Sequence, residues 1–166
     1  INFFNMDFKP LKKDFLFVPF HGCNSIGANF YLYHFQGTWI GVDYGIGFAN
    51  KRKFPGMDIF VPDLSVLKKY KIKLDALIIT HAHEDHIGGI ADSYKELDCP
   101  IYCTTFAKEF LLEDMLSIKT KDKLDLREIK LDKNKKFKIG PFRIEMVRVT
   151  HSIVEATSLY IKTDAG

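Results

Sequence analysis

The chain contains no run of about 18 apolar residues, which excludes a membrane-spanning helix in the sequence. Ile1 to Pro10 holds no apolar stretch leading into a cleavage site, which argues against a secretory leader. Cysteine is scarce: Cys23, Cys99 and Cys103 make an odd number without zinc-knuckle spacing. They read as reduced structural thiols, and the expected compartment is the cytoplasm. There is no internal repeat and no low-complexity linker, so nothing divides the 166 residues into separate domains. Charge of one sign is lacking too: a net +3 permits an anionic partner without requiring one. What remains is 46% hydrophobic with 15 Phe, enough to bury a core and incompatible with a disordered tail.

The pattern of apolar residues predicts strands over 14–20, 29–35 and 38–43, the last two joined by Gln36-Gly37. A short helix is expected over 63–70, with Asp63 as its cap. Asp75 to Thr80 reads as a strand buried on both faces, and helical spacing follows from His86 to Leu97. A strand over 100–103 and a helix over 105–116 come next. The segment 119–138 carries nine Lys or Arg against four Asp or Glu and is expected to be a solvated, loop-rich stretch. Strands are predicted over 127–131, 137–139, 142–150 and 156–163. Strands first, alternating helix and strand next, and strands again predict an α/β fold with mixed sheets and flanking helices.

The chemistry concentrates in Thr80-His81-Ala82-His83-Glu84-Asp85-His86, where the buried strand ends and a helix begins. Three His and an Asp at a strand end are poor core material, and imidazole with carboxylate suits zinc and related divalent ions. His81 and His83 project together, while Asp85 and His86 come from the next turn, so the spacing offers ligands for two ions. His151, in Val149-Thr150-His151-Ser152 at another strand end, is the candidate third nitrogen ligand beside His81 and His83. Three protein ligands leave a position open for water, as in a catalytic site. Asp43, ending the third strand before Gly45, is a candidate to hydrogen-bond a ligand histidine and fix its tautomer. His21 and His34 receive no metal role. Gly88 and Gly89 are expected to let the helix start lie against neighbouring backbone.

His81, His83, Asp85 and His86 match, position by position, the His-x-His-x-Asp-His signature of the metallo-β-lactamase superfamily, which the chain resembles. The run from His81 through Ile87-Gly88-Gly89 resembles the ribonuclease J family within it. So do Thr150-His151-Ser152-Ile153, Ile26-Gly27-Ala28-Asn29, Val42-Asp43-Tyr44-Gly45, Pro55-Gly56-Met57-Asp58 and Val61-Pro62-Asp63. Ser25 stands where the family usually has Glu, and Val154 where it has Pro. The resemblance implies an αβ/βα sandwich with a two-metal site at the strand ends. It also implies zinc as cofactor, with manganese as the other candidate, and RNA as substrate of 5′-to-3′ exonuclease and endonuclease activity. His81, His83 and His151 would hold one ion. Asp85 and His86 would help hold the other and act as the catalytic pair.

The family continues with a strand ending in Gly-Asp, an inserted β-CASP domain and a later metal-binding His. None of these follows Lys162-Thr163-Asp164-Ala165-Gly166. Residues 1–166 are therefore expected to be the N-terminal portion of a metallo-β-lactamase domain, an incomplete half-sandwich that is poorly active alone. Its exposed apolar surface would be satisfied by the missing C-terminal part or by a second copy of the chain. Two other readings fit the motif: a thioesterase or lactonase of the same fold, and a non-catalytic product of a split gene.

Overall fold

A computed structural model describes residues 10–119 and 123–166. The N-terminal positions 1–9 and residues 120–122 of the Lys-rich segment lie outside the described residues. In chain order the strands and helices are β1 (Leu16–His21), β2 (Phe30–Phe35), β3 (Thr38–Val42), β4 (Gly47–Phe48), β5 (Ile59–Phe60), α1 (Ser65–Lys69) and β6 (Ala76–Ile78). They continue with α2 (Glu84–Ile87), α3 (Ile90–Leu97), β7 (Ile101–Thr104), α4 (Thr105–Ser117), β8 (Leu126–Ile129), β9 (Lys136–Ile139), β10 (Phe142–Arg148) and β11 (Thr157–Lys162).

The larger sheet runs β1-β2-β3-β6-β7-β8, antiparallel across its first three strands and parallel from β3 onward. Phe35 pairs with Thr38, leaving the two-residue turn Gln36-Gly37 with φ of 51° and 82°, the left-handed pair that suits the twist of a tight hairpin. Pro19 is tolerated because β1 is an edge strand, and the register shifts beside it. Ala76, Leu77 and Ile78 are fully buried, as a strand covered on both faces requires. Leu77 and Ile79 face the helices with Ile87, Ile90 and Leu111, while Ala76 and Ile78 face Phe142 and Ile144 of the second sheet, β11-β10-β9. The layers are thus helices, mixed sheet and antiparallel sheet, a partial αβ/βα arrangement.

The helix expected over 86–97 is divided. Helix α2 starts earlier, at Glu84, and the chain breaks at Gly88-Gly89 before α3. The reason is contact: a methyl group on Gly89 would lie 2.8 Å from the Tyr44 ring, and Gly89 N–H donates to Tyr44 O. The strand predicted over 75–80 shortens to Ala76–Ile78, and side-chain carboxylates meet the chain at both of its ends. Asp75 Oδ2 accepts from Trp39 N–H and the Asp43 carboxylate accepts from Thr80 N–H, each at 2.8 Å. Asp63 is not the cap of α1: that position is Leu64, without a side-chain bond, and the Asp63 carboxylate accepts the Ser65 N–H at 2.9 Å from one residue further out. The ribbon β4–β5 is absent from the sequence reading, since two-residue strands carry no period. Lys135 and Lys136 of the basic segment pair with Glu145, the solvated face expected there.

Among the described residues no helix is long and apolar enough to cross a membrane. Phe15 and Phe17 of the β1 edge stand about half exposed against Tyr33, Phe17 with ring centroids 5.0 Å apart.

Candidate metal centre

Strands β3 and β6 run parallel and end side by side, and the loop from β10 to β11 reaches the same point. Ligand sites in open α/β sheets collect at such carboxyl ends. Three loops meet there: 43–46 after β3, 79–83 after β6 and 149–156 after β10. Their register is held by backbone bonds, Tyr44 N–H to His86 O at 2.7 Å and Ile46 N–H to Glu84 O at 3.0 Å. Gly45 is required: a methyl group there would occupy the position of the Asp85 carbonyl. Thr157 donates to Thr80 O through both its amide and its hydroxyl, tying the second sheet to the motif.

His81, His83 and His151 converge, each offering a ligand nitrogen, with these atoms all within 4.8 Å of one another. The ring of His81 stands 5.0 Å from that of His83 and 4.8 Å from that of His151. His81 is buried and its Nε2 has no hydrogen-bond partner. A buried nitrogen left this way costs about 1–3 kcal/mol, so the site fits a cation that would take the lone pair. His83 and His151 are progressively more exposed and leave the cluster open toward solvent.

The Asp43 carboxylate, itself 2% exposed, organises the histidines from behind. Being an acceptor only, its Oδ2 takes the Nδ1–H of His86 at 2.7 Å, which leaves His86 Nε2 as the free acceptor. It also accepts the Thr80 hydroxyl, 3.0 Å from Oδ1 and 2.9 Å from Oδ2. With its proton committed there, Thr80 Oγ1 accepts from His81 Nδ1–H at 2.9 Å, and His81 Nε2 is turned to the cluster. One carboxylate thus sets the tautomer of two histidines, directly and through Thr80. Asp43 does this from a left-handed backbone, φ 58°, which Asp tolerates better than most residues.

Burial, followed by the neighbouring His86, His83 and His151, pushes the His81 pKa down to about 4, so it stands neutral at pH 7. His86 is also pushed down by burial, but its bond to Asp43 and the charges of Asp43 and Asp85 outweigh this and raise it.

Asp85 and His86, expected as a second ligand set, adjoin the three-histidine cluster. Asp85 Oδ2 lies 3.5 Å from His86 Nε2, and the His86 ring is only 4.1 Å from that of His81. Asp85 and His86 lie beside the three-nitrogen cluster and are not part of it. His34 is buried against Trp39 with Nδ1 on Asp14 O, and His21 bonds Gly27 O, so neither joins the site. Two polar residues of the site went unread in the sequence. Thr80 was visible only as the first letter of the motif. Asn29, whose amide reaches Asp85 and His86, stands in the sequence only as the last residue of Ile26-Gly27-Ala28-Asn29, 56 and 57 residues before them, with no role to mark it.

Residues 39–164 match the family model described as beta-lactamase superfamily domain. The ribonuclease J of Sinorhizobium meliloti is 34% identical over 158 residues, covering 93% of this chain and 28% of its own length. The ribonuclease J of Helicobacter pylori is 34% identical over 155 residues, covering 93% of this chain and 22% of its own. The chain therefore spans between about a fifth and little more than a quarter of the length of these relatives. Among solved structures, the metallo-beta-lactamase fold protein YhfI from Bacillus subtilis superposes with a TM-score of 0.56 at 22% identity, covering 90% of this chain and 58% of that one. The chain belongs to the beta-lactamase superfamily, with a metallo-β-lactamase fold and with ribonuclease J as its relative.

Proposed function

We propose that the chain is the metal-binding part of a zinc-dependent, ribonuclease J-like hydrolase that cleaves RNA phosphodiester bonds in cytoplasmic RNA processing and decay. The observation that carries the reading is the orphaned, buried His81 Nε2 facing His83 and His151. Similarity to ribonuclease J over 93% of the chain supports RNA as the substrate. His81, His83 and His151 would hold one ion, and Asp85 with His86 would help to hold a second, with manganese as the alternative to zinc; such ions would supply Lewis-acid chemistry to the phosphodiester and to water.

The chain's own residues do the rest. Asp43 and Thr80 orient His81 and His86 so that the Nε2 atom of each is turned to the site. The Asp85 carboxylate orients the attacking water by accepting a hydrogen bond from it. The groove beside His151, lined by Tyr31, Tyr33, Thr80, His86 and Leu159, admits the phosphodiester. The leaving oxygen takes its proton from outside these residues. We infer that residues 1–166 are the N-terminal portion of a metallo-β-lactamase domain, a reading in keeping with the 28% of the S. meliloti relative's length that they cover. Among the described residues only Asp85 and His86 address the second ion, so the isolated chain turns over slowly.

The test is cleavage of 5′-monophosphorylated RNA by the zinc-loaded chain, alongside a thioester and a lactone. Slow RNA cleavage that is abolished by chelation and by Asp85→Asn is expected. Cleavage indifferent to both, or faster turnover of the thioester or lactone, contradicts the proposal.

A further inference from the structure

Asn29 is the polar residue of the site that the motif does not explain. It is 8% exposed and sits at the entry to β2. Its side-chain oxygen accepts the Tyr31 hydroxyl at 2.9 Å, which fixes the orientation of the amide. Nδ2 therefore faces the motif, where it meets Asp85 O at 2.9 Å, Asp85 Oδ2 at 3.1 Å and His86 Nε2 at 3.1 Å. The backbone is pinned as well: Asn29 N–H donates to Asp85 O at 3.0 Å, and Asn29 O accepts from Gly45 N–H at 3.2 Å. The strand cannot slide to relieve these contacts.

An unprotonated imidazole nitrogen has a single in-plane lone pair. His86 Nδ1–H is committed to Asp43, so Nε2 presents that one lone pair to the Asn29 amide, whose two hydrogens are shared among Asp85 O, Asp85 Oδ2 and His86 Nε2. An ion held by Asp85 and His86 needs the same lone pair. The two ligand atoms already stand 3.5 Å apart, close to the roughly 3.3 Å separation that a tetrahedral zinc with bonds of about 2.0–2.1 Å imposes. The amide thus keeps the pair at ligand spacing while occupying it.

We propose that Asn29, anchored by Tyr31, is a positioning residue that competes with the second ion for Asp85 and His86, so that the His81, His83 and His151 position fills first. This rests on the reading of Asp85 and His86 as ligands of the second ion. Loss of the competing donor is worth about one hydrogen bond to a charged group, roughly a tenfold change in affinity.

Calorimetric titration of the metal-free chain with zinc chloride separates the two positions. The expected result is a tight first event, lost in His151→Ala, and a weaker second event. In Asn29→Ala and in Tyr31→Phe the second event tightens about tenfold while the first is unchanged. Tyr31→Phe keeps every backbone bond of Asn29, so it answers whether a change reflects the amide or a loosened fold. In the unaltered chain, the Asn29 side-chain amide NMR signals should move with the second equivalent and not the first. A second event that is unchanged, weaker or undetectable in both variants overturns the proposal. A missing first event in the unaltered chain overturns the underlying metal reading instead.

Discussion

Asp43 and Thr80 form a relay whose two branches can be cut separately. Thr80→Val keeps the volume, removes the hydroxyl between Asp43 and His81, and leaves the 2.7 Å bond from His86 to Asp43 in place. Supports of ligand histidines typically account for about 10–100-fold in metal affinity. Thr80→Val should therefore weaken the first zinc ion by about that factor, read by competition with a chelating dye. Equal affinity in the variant would show that His81 is oriented by packing alone. The titrations of the two histidines run in opposite directions. His81 has a folded pKa of about 4 against an ordinary 6.5, so the unfolded chain binds a proton that the folded chain refuses. The stability associated with neutral His81 is complete above pH 6.5 and is lost as the pH falls toward 4. For His86 the folded value is raised, so its contribution is complete below 6.5 and is lost as the pH rises through the folded value. Urea unfolding of the metal-free chain should lose stability between pH 6.5 and 4, and His81→Gln should lose less over that interval. Parallel profiles would contradict the assignment.

At the scale of elements, two contacts hold the loops in place. Loop 43–46 lies so close to α2 that Gly45→Ala forces the backbones apart, a misfit of about 1–3 kcal/mol or more, measurable as a lower urea midpoint. The His151 loop is tied to α4 through Glu155, whose carboxylate accepts the Phe106 N–H at 2.8 Å. Glu155→Ala should lower stability by about 0.5–2 kcal/mol, the scale of a lost helix cap, and weaken zinc binding through the freed loop. Unaltered zinc affinity would show that His151 is placed without Glu155. These contacts mark what the sequence could and could not convey. His81, His83, Asp85 and His86 are legible because such residue types clustered at a strand end are poor core material, and His151, ordinary alone, only beside that motif. Strand β6 was readable because an apolar run buried on both faces needs no partner to be named. The break at Gly88-Gly89 was not, because it depends on the Tyr44 ring arriving from another loop. Asn29 and Thr80 were missed for the same reason: their roles consist of bonds to residues that are distant in the chain or named only by their own function.

For the molecule as a whole, the β1 edge carries an aromatic face on which Phe15 and Phe17 remain about half exposed. Exposed aromatic surface beside edge strands favours association. The chain should self-associate at high concentration in light scattering, and Phe17→Lys should shift it toward the monomer. A monomer at all concentrations would remove this expectation. The central claim is that three histidines from two loops, in a chain covering 28% of its S. meliloti relative, already make a metal site. It is tested most directly by zinc bound per chain after dialysis, in the unaltered protein and in His151→Ala. The account predicts one tightly held zinc in the first and its loss in the second; no retained zinc in the unaltered chain, or the same amount in both, would contradict it.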